Sequence, residues 1–441
     1  MKPRLIIIQP TCYTGPDRKR LVKARRRSVV NLTLPYLAAL APQGWEIKLV
    51  DELLEEVDFN EPADLVAIAT WTQTSWRAYD LAAEFRKRGV TVLMGGPHIH
   101  FHAEEAAAHA DAVGIGEGEK IWPRMLEDAA AGRLKRFYRA EPLEELSRLP
   151  KPRYDLMNLR PYGIFKTFAV QFSRGCPFKC DFCSERFYLG EAYRTRPVED
   201  VVEEIRHCGF KLIFFADSNF AGKPAKAMEL MEALIPLKIR WSTLWTSNVC
   251  LDQRFLDLAA RSGLLHVNIG LESIEPETLK GMNKRFNKVE RYREIFANLR
   301  RRDISYSVNF IFGWDGETLD VLESTLEFLY REKVPVAYFN ILMPDKGTPL
   351  YDRMLAEERL VNLDLLGRLP GQRCLIKPQR YSAEELEAAV ERLYRRFYSY
   401  RSMFARLPLP LTKARIASWT INISQRRMAR SGMAQNNFEA Y

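Results

Sequence analysis

The sequence lacks a fourth cysteine beside its one cluster of three. The cluster has the spacing C-x3-C-x2-C and consists of Cys176, Cys180 and Cys183. A zinc site is normally closed by four ligands, so three thiolates leave one coordination position open. The alternatives to such an open metal site are a zinc knuckle or three incidental cysteines. The other cysteines are scattered and are expected to be small buried side chains rather than ligands or disulfide partners: Cys12, Cys208, Cys250 and Cys374.

The chain also lacks any long apolar segment. No uninterrupted run approaches the roughly 18 to 20 residues that cross a bilayer, and no low-complexity segment is present. The apolar run near the amino terminus, Leu5 to Ile8, is too short for a signal peptide and predicts a first strand. Unpaired cysteines favour a reducing compartment. We therefore expect a cytoplasmic protein of two or three domains, for which 441 residues suffice.

Acidic residues are scarce in two segments that account for the positive charge of the chain. The net charge of +10 comes from residues 17–28 and 391–441, and the rest of the chain is slightly negative. The total charge therefore does not predict an enzyme that binds a polyanion. No nucleic-acid partner is expected.

The first 140 residues alternate short apolar runs with helical patterns, as parallel β-α-β units do. Strands are predicted at residues 5–9, 47–50, 65–69, 90–94 and 112–115, and helices at 34–41, 76–87, 103–110 and 121–131. Ligands of such open, doubly wound sheets bind at the carboxyl ends of the strands. The following residues at those ends are candidate ligand contacts: Gln9, Thr11, Thr70, Thr72, Ser75, Gly95, Gly96, His98, Gly116, Glu117 and Gly118.

A proline-containing segment without periodicity, residues 141–165, predicts a linker to a second α/β domain. In residues 166–345, strands are predicted at 168–172, 212–215, 239–245, 264–271, 304–312 and 336–342. Helices are predicted at 198–207, 223–234, 252–262, 276–281, 289–301 and 317–331. Six such units make three quarters of a TIM barrel, whose chemistry lies at the carboxyl ends of the strands. Residues 346–441 predict a helical, basic C-terminal domain.

The cysteine loop and its flanks, Ser173 to Glu185, resemble the radical S-adenosylmethionine (SAM) enzymes. In that family three cysteines hold a [4Fe–4S] cluster, and its open iron chelates SAM, which is cleaved to a 5′-deoxyadenosyl radical. By this resemblance Phe182 lies against the adenine and Glu272 holds the cofactor, while Asp217 and Asn219 face its amino group or ribose. Asn309, Ile311 and Gly313 resemble the family's Gly-x-Ile-x-Gly segment beside the adenine, with an asparagine at the first glycine. Any one of the acidic residues can instead be a helix N-cap or a solvated loop residue.

The strand-end loops of the first domain are similar to those of the cobalamin-binding domain of class B radical SAM enzymes. The resemblance consists of Asp51 closing the second strand, Gly95-Gly-Pro-His98 after the fourth and Gly116-Glu-Gly-Glu119 after the fifth. The Asp-x-His-x-x-Gly motif that places a histidine under cobalt is absent, so no histidine is expected there. The trio His98, His100 and His102 is interpreted as part of a loop lining the corrin, with a separate metal site as the alternative.

The resemblance implies an enzyme that methylates an unactivated carbon of a hydrophobic or natural-product substrate and uses a second SAM to remethylate cobalamin. Radical cyclisation, oxidation or carbon–carbon coupling of a tetrapyrrole or lipid is the alternative. A cobalamin or cluster sensor without turnover is the alternative from another class. An RNA methylthiotransferase is disfavoured because only Cys12 precedes Cys176. No catalytic side chain is predicted, and the implied electron donor is a flavodoxin or ferredoxin.

The basic tail interleaves arginines with aromatic residues, which suits an anionic lipid surface or a lipid-like substrate. Arg395, Arg396 and Arg401 are candidate contacts, together with Phe397, Tyr398 and Phe404. Peripheral contact with a membrane is therefore one hypothesis. The alternative is an amphipathic helix that packs its aromatic face on the barrel and extends its arginines to solvent.

Overall fold

The computed structural model describes residues 2–163, 166–371, 373–407 and 410–430. Positions 164–165 of the predicted linker lie outside the described residues, as do positions 372, 408–409 and 431–441 of the predicted C-terminal domain. The described residues form two parallel sheets and one short antiparallel pair of strands, with helices around them, which confirms the predicted α/β class. The predicted domain boundaries at residues 140, 165 and 345 stay predictions.

The first sheet has six parallel strands in the order β3-β1-β4-β5-β6-β7. Along β1, Ile6 and Ile8 pack with one group of helices and Leu5 and Ile7 with another, because alternate side chains of a strand point to opposite faces. The five predicted strands are confirmed, whereas β7 is short and half-exposed and escaped prediction. The strands of this region are β1 Arg4–Gln9, β2 Val29–Val30, β3 Glu46–Asp51, β4 Leu65–Ala69, β5 Thr91–Gly95, β6 Ala112–Ile115 and β7 Phe137–Arg139.

Five helices cover the two faces of this sheet. The helix predicted at 103–110 begins at the predicted residue but ends early, at Ala107, and an unpredicted short helix, α3, precedes it on the other side of His102. The histidine trio is consequently on and beside α3 rather than on a loop. The helices are α1 Thr33–Leu40, α2 Ser75–Lys87, α3 Pro97–Phe101, α4 Ala103–Ala107 and α5 Gly118–Ala130.

The second sheet is the partial barrel, with seven parallel strands in the order β15-β14-β13-β12-β11-β8-β2. Six of them were predicted. The seventh, β2, comes from the N-terminal region and pairs with β8 through Val29 and Thr167. Two residues show no periodicity, so the sequence gives no sign of this strand. Besides β2, the strands of this sheet are β8 Thr167–Val170, β11 Leu212–Phe215, β12 Arg240–Trp245, β13 Leu264–Glu272, β14 Ser305–Phe312 and β15 Val336–Ile341. Two short strands, β9 Ser173–Arg174 and β10 Arg194–Thr195, pair with each other in an antiparallel sheet of their own.

Helices follow the barrel strands as the alternation predicts. Two of them end at glycines in the left-handed conformation, Gly209 and Gly263, which is the usual way to stop a helix before a strand. The helix predicted at 317–331 begins later, at Asp320, because the Glu317 carboxylate accepts hydrogen bonds from the turn before it. The helices are α6 Glu185–Leu189, α7 Val198–Cys208, α8 Pro224–Leu234, α9 Gln253–Ser262, α10 Pro276–Gly281, α11 Tyr292–Arg301 and α12 Asp320–Arg331.

The C-terminal helices brace the last strand of the barrel. The Tyr398 hydroxyl donates to the Ala337 carbonyl at 2.7 Å, and the Phe339 amide donates to the Tyr394 hydroxyl at 3.0 Å. These contacts cover the edge of β15, and they bury Phe397 and Tyr398, as the packing alternative for the tail predicts. The helices are α13 Pro349–Ala356, α14 Ala383–Phe397, α15 Tyr400–Arg406 and α16 Lys413–Arg430. Among the described residues, no helix has the length and apolar composition needed to cross a membrane.

Candidate functional site

The three clustered cysteines lie on one loop between β9 and α6, at the carboxyl end of the barrel. Burial raises the pKa of the Cys180 thiol to about 11 and that of Cys183 to about 12. Such thiols give up their protons when a metal ion binds, because the metal replaces the proton as the partner of sulfur. The loop starts at Gly175, where a Cβ atom would lie 2.4 Å from the Ala192 carbonyl oxygen. The backbone is therefore packed too closely there for any other residue.

Two polar side chains after β11 lie directly beside the cysteine loop. Asp217 accepts hydrogen bonds from the Phe172 and Ser173 amides at 2.9 and 2.5 Å. The Asn219 amide nitrogen is 3.9 Å from the Cys176 sulfur. Burial raises the pKa of Asp217 to about 7. Asp217 is buried and bonds to the amides of Phe172 and Ser173, so it is neither a solvated loop residue nor the cap of a following helix.

Glu272 forms a buried ion pair with a lysine that sequence analysis did not single out. The Lys284 ammonium lies 2.6 Å from the Glu272 carboxylate, and the two side chains are 8% and 7% exposed. Burial acts to lower the pKa of Lys284, but Glu272 and Cys180 raise it above its usual value. The same ammonium lies 5.7 Å from the centre of the Phe182 ring. Phe182 and Glu272, both predicted SAM contacts, are therefore brought together by Lys284.

The backbone around Glu272 is irregular and leaves room for the Glu272–Lys284 ion pair. Glu272 has a φ of 67°, in the left-handed region that few residues other than glycine adopt, and the pairing of β13 with β14 shifts between Gly270 and Glu272. A Cβ atom on Gly270 would lie 2.2 Å from a Glu272 carboxylate oxygen and 2.8 Å from the Lys284 nitrogen. The glycine leaves the space into which both charged groups fold. Strained backbone at a strand end is typical of functional sites.

Asparagine and histidine side chains line the barrel below Glu272. Asn268 is 5% exposed, and neither polar atom of its side chain has a hydrogen-bond partner among the described residues. Asn309, which pairs with Gly270 across the sheet, also has an unpartnered side-chain oxygen. His266 lies deeper, with its ring nitrogens 2.8 and 3.0 Å from the Ser305 and Ser307 hydroxyls. The predicted contact Ile311 follows Asn309 on the same face of β14, and Gly313 makes the turn after that strand.

These residues fit a polar ligand bound beside a metal cluster. Side-chain oxygens that are buried and have no hydrogen-bond partner in the described part of the chain lie near the cysteine loop, at Ser173, Asp217 and Asn219. A buried polar atom without a partner costs about 1–3 kcal/mol, so several of them at one barrel mouth indicate groups that a ligand satisfies. SAM has the amino, carboxylate and hydroxyl groups to do so. Asn268 was not predicted as a ligand contact, because it lies inside β13 and the predicted contacts are at or near strand ends.

The strand-end loops of the first sheet contain the predicted cobalamin contacts, several of which are tightly packed. A Cβ atom on Gly96 would lie 2.7 Å from the Thr70 carbonyl oxygen, and one on Gly116 would lie 2.4 Å from the Ala140 carbonyl oxygen. These two glycines are required by contacts within the protein, whatever they do for a corrin. Gly95 and Gly118 have more room, since the nearest atoms would lie 3.8 and 4.0 Å away.

The side chains of these loops differ in whether their polar atoms are already hydrogen-bonded within the protein. Gln9 is 7% exposed and its side-chain oxygen has no partner among the described residues, which fits a bound polar group. The hydroxyls of Thr11 and Thr70 donate to the carbonyls of Val22 and Ile68. The Ser75 hydroxyl donates to the Thr72 carbonyl and accepts from Arg368 at 3.1 Å. Their assignment to cobalamin stays a prediction.

His98 is fully buried and both of its ring nitrogens have partners. One lies 2.8 Å from the Tyr79 hydroxyl and the other 3.3 Å from the Thr72 hydroxyl. Burial lowers the pKa of His98 to about 3, so the ring is neutral. His98, His102 and Glu105 lie close enough to hold a cation, but the Glu105 carboxylate is already bound by Arg368 at 2.6 and 2.8 Å. This arrangement disfavours both a separate metal site and a His98 ligand to cobalt.

Ion pairs join the loop after β6 to the strands that flank the cysteine loop. Glu117 binds Arg194 at 2.7 Å, and Glu119 binds Arg174 at 2.5 Å. All four side chains are at most 9% exposed. The Glu117 carboxylate also accepts a hydrogen bond from the Leu143 amide, so its side chain serves the interface and only its backbone remains for cobalamin. The pairs hold the cysteine loop next to the first sheet.

Two family models match the chain, in the order in which the two sheets occur. Residues 20–126 match the B12 binding domain, and residues 170–329 match the radical SAM superfamily. Both predicted domains are thereby confirmed.

Curated relatives and solved structures match over most of the chain. The bacteriochlorophyllide d C-12(1)-methyltransferase of Chlorobaculum tepidum is 28% identical, covering 90% of this chain and 88% of the relative. The anaerobic magnesium-protoporphyrin IX monomethyl ester cyclase of Cereibacter sphaeroides is 25% identical, covering 80% and 63%. The radical SAM methyltransferase TsrM from Kitasatospora setae, solved with tryptophan substrate and a SAM analogue, superposes with a TM-score of 0.68 at 20% identity, covering 89% and 83%. The cobalamin-dependent SAM radical enzyme OxsB, solved with aqua-cobalamin, superposes with a TM-score of 0.71 at 15% identity, covering 97% and 72%. At these identities the two structures show a shared fold.

Proposed function

Since the chain is a cobalamin-dependent radical SAM enzyme, we propose that it transfers a methyl group to an unactivated carbon of a small hydrophobic molecule, with a tetrapyrrole as the first candidate. The observation that carries the proposal is the pairing of a three-cysteine loop with the buried Glu272–Lys284 pair at one barrel mouth, held next to the cobalamin-binding domain by ion pairs. The extensive match to bacteriochlorophyllide methyltransferases supports the substrate class.

The cofactors are a [4Fe–4S] cluster, SAM and cobalamin. When bound, the cluster and SAM supply a radical that removes a hydrogen atom from the substrate, and cobalamin supplies the methyl group. The thiolates of Cys176, Cys180 and Cys183 would hold the cluster. Asn219 donates toward the Cys176 sulfur, which stabilises negative charge on that thiolate.

The side chains around the cysteine loop would bind and orient SAM. The carboxylate of Glu272 is suited to an ammonium or to ribose hydroxyls, and its ion pair with Lys284 fixes its position. Phe182 offers a ring face to the adenine. Within the described residues, the side-chain amide of Asn268 is an unpartnered donor and acceptor at the barrel wall, and the side-chain oxygen of Asn309 is an unpartnered acceptor. These roles are preorganised, because the groups are held by buried contacts rather than by flexible loops.

The proposal is tested by incubating the reconstituted protein with trideuteromethyl-labelled SAM, a strong reductant and bacteriochlorophyllide d as the probe. Methylation predicts a product heavier by one labelled methyl group, with 5′-deoxyadenosine and S-adenosylhomocysteine formed in equal amounts. The Cys180→Ala variant is the control and should form neither the product nor 5′-deoxyadenosine. Wild-type protein that forms 5′-deoxyadenosine but no S-adenosylhomocysteine with any tetrapyrrole would contradict methylation.

Radical cyclisation of a tetrapyrrole is the second candidate, because anaerobic cyclases are among the relatives. It predicts 5′-deoxyadenosine without stoichiometric S-adenosylhomocysteine and a product that gains no labelled methyl group. The same incubation with magnesium-protoporphyrin IX monomethyl ester as the probe therefore separates the two candidates.

Two partners complete the proposal. A flavodoxin or ferredoxin delivers the electron that the cluster needs, and the protein makes a peripheral contact with a membrane. Replacing the chemical reductant by reduced flavodoxin tests the first partner: it should sustain 5′-deoxyadenosine formation.

A further inference from the structure

Helix α16 buries its small and polar side chains and exposes its apolar ones. The buried residues are Ala414, Ser418, Asn422, Gln425 and Ala429. Asn422 is fully buried and donates to the Pro335 carbonyl at 2.9 Å. The opposite side presents Ile416, which is 53% exposed, and Ile423, which is 43% exposed. A surface helix of a globular protein normally has the reverse arrangement, with its apolar stripe facing the core.

Neighbouring apolar side chains extend this exposed stripe. The Phe404 ring is 65% exposed and packs edge-on against the Trp419 ring, with centroids 4.9 Å apart. Leu411, just before α16, is 54% exposed. Contiguous exposed apolar side chains mark an interaction surface. We name this set the α16 apolar surface: Phe404, Leu411, Ile416, Trp419 and Ile423.

The charged side chains of the segment that carries the α16 apolar surface are all positive. No aspartate or glutamate occurs from residue 392 to residue 438. Arg401, Lys413, Arg427 and Arg430 are exposed, and none of them pairs with an acidic side chain in the part of the chain that the structure describes. A second copy of this chain would bring like charges together at a two-fold interface. An anionic lipid surface has the complementary charge and an apolar layer beneath it.

We propose that the α16 apolar surface is the face by which this protein lies on an anionic membrane. This inference rests on the membrane contact proposed above and gives it a specific surface; it does not depend on methyl transfer. Phe404 and Trp419 would enter the interfacial layer, while the basic side chains contact lipid phosphates.

The position of the surface in the fold separates it from the cofactor site. The Ser418 hydroxyl lies 2.8 Å from the Ser305 hydroxyl, and Ser305 is the first residue of β14. Helix α16 therefore lies at the amino end of that strand, whereas the cysteine loop and Glu272 lie at the carboxyl end of the sheet. The surface holds the protein on the membrane without forming the entrance to the barrel mouth.

The test is co-sedimentation of the full chain with phosphatidylcholine vesicles and with vesicles that also contain phosphatidylglycerol. We expect wild-type protein to bind the anionic vesicles, and more weakly as salt rises, because exposed charges are screened. The triple variant I416S/W419S/I423S should bind at least about tenfold more weakly, since it loses the apolar contact. The matched control V361S/L363S changes two equally exposed apolar residues and should bind like wild type.

A second variant, K413E/R427E/R430E, keeps the apolar surface and should lose binding to the anionic vesicles. Reductive cleavage of SAM should be unchanged in all variants, which separates failure of the surface from failure of the enzyme. Wild-type protein that ignores both kinds of vesicle would overturn the inference. So would a concentration-dependent dimer that I416S/W419S/I423S converts to a monomer, because the surface would then join two copies.

Discussion

Removing one member of the Glu272–Lys284 pair should destabilise the protein far more than removing an exposed ion pair does. In Lys284→Met the side chain keeps nearly its length and loses its charge, so Glu272 is left buried near the cysteine loop without its partner. In Glu272→Gln the charge of Lys284 is likewise left buried without its partner. Neither charge can reach water without moving strand β13, because both side chains are less than a tenth exposed.

The magnitude follows from the distance and the burial. Two unit charges 2.6 Å apart attract each other by about 6 kcal/mol at an effective dielectric constant of roughly 20. Much of this attraction offsets the cost of taking both charges out of water, so the net value of the pair is smaller. Removing one partner of such a pair typically costs about 3–5 kcal/mol, because the remaining charge stays buried without compensation.

The assay is urea unfolding followed by circular dichroism for wild type, both single variants and the double variant. The double variant leaves no buried charge, so it should be more stable than the sum of the single effects predicts, by at least about 2 kcal/mol. Arg291→Met is the matched control, since Arg291 pairs with Glu294 at 2.7 Å with both side chains nearly half exposed. It should cost less than about 1 kcal/mol.

Strict additivity of the two single variants, or a loss in Lys284→Met no larger than in Arg291→Met, would refute the reasoning. A measurement of SAM binding to the same variants adds a functional readout. If Glu272 holds SAM and Lys284 only positions Glu272, Glu272→Gln should weaken SAM binding more than Lys284→Met does at equal folded fraction.

Three further results are expected. Replacing any one of Cys176, Cys180 and Cys183 by Ala should abolish iron–sulfur absorbance and SAM cleavage while circular dichroism stays native, and a zinc-loaded wild type without iron would contradict the cluster. Electron paramagnetic resonance of the cob(II)alamin form should lack nitrogen splitting from an axial imidazole, because the ring nitrogens of His98 are already bonded; splitting that disappears in His98→Ala would overturn this. Burial raises the pKa of Asp217 from 3.8 to about 7, so the folded state favours the neutral form of this side chain. Its contribution to the free energy of unfolding is therefore lost as the pH rises from about 4 to about 7. Over that range the free energy of unfolding of Asp217→Asn should therefore rise by up to about 4 kcal/mol relative to that of wild type, as measured by urea unfolding of the cluster-free chain. Parallel pH profiles for the two proteins would rule the effect out.

Much of the fold could be predicted from periodicity and glycine placement. The apolar runs of β4 and β11 are bounded by polar residues or turns, so their position and type are evident without tertiary information. The exceptions are informative. Strand β2 has two residues, and its partner β8 lies far away in sequence. The short helix α3 was likewise not predicted; it ends just before His102, whose ring stacks on the His98 ring.

The sequence by itself determined the site residues that carry a local signal. The cysteines are recognised by spacing, and Phe182 and Glu272 by their neighbours in the chain. Lys284 and Asn268 carry no such signal: a lysine after a short helix normally points to solvent, and an asparagine inside a strand is not distinctive. Tertiary contacts bury Lys284 against Glu272 and leave the side-chain amide of Asn268 without a hydrogen-bond partner among the described residues. They also turn the polar side of α16 inward and its apolar side outward. The physical reason is that burial and charge pairing depend on which distant segments meet, and spacing along the chain does not encode that.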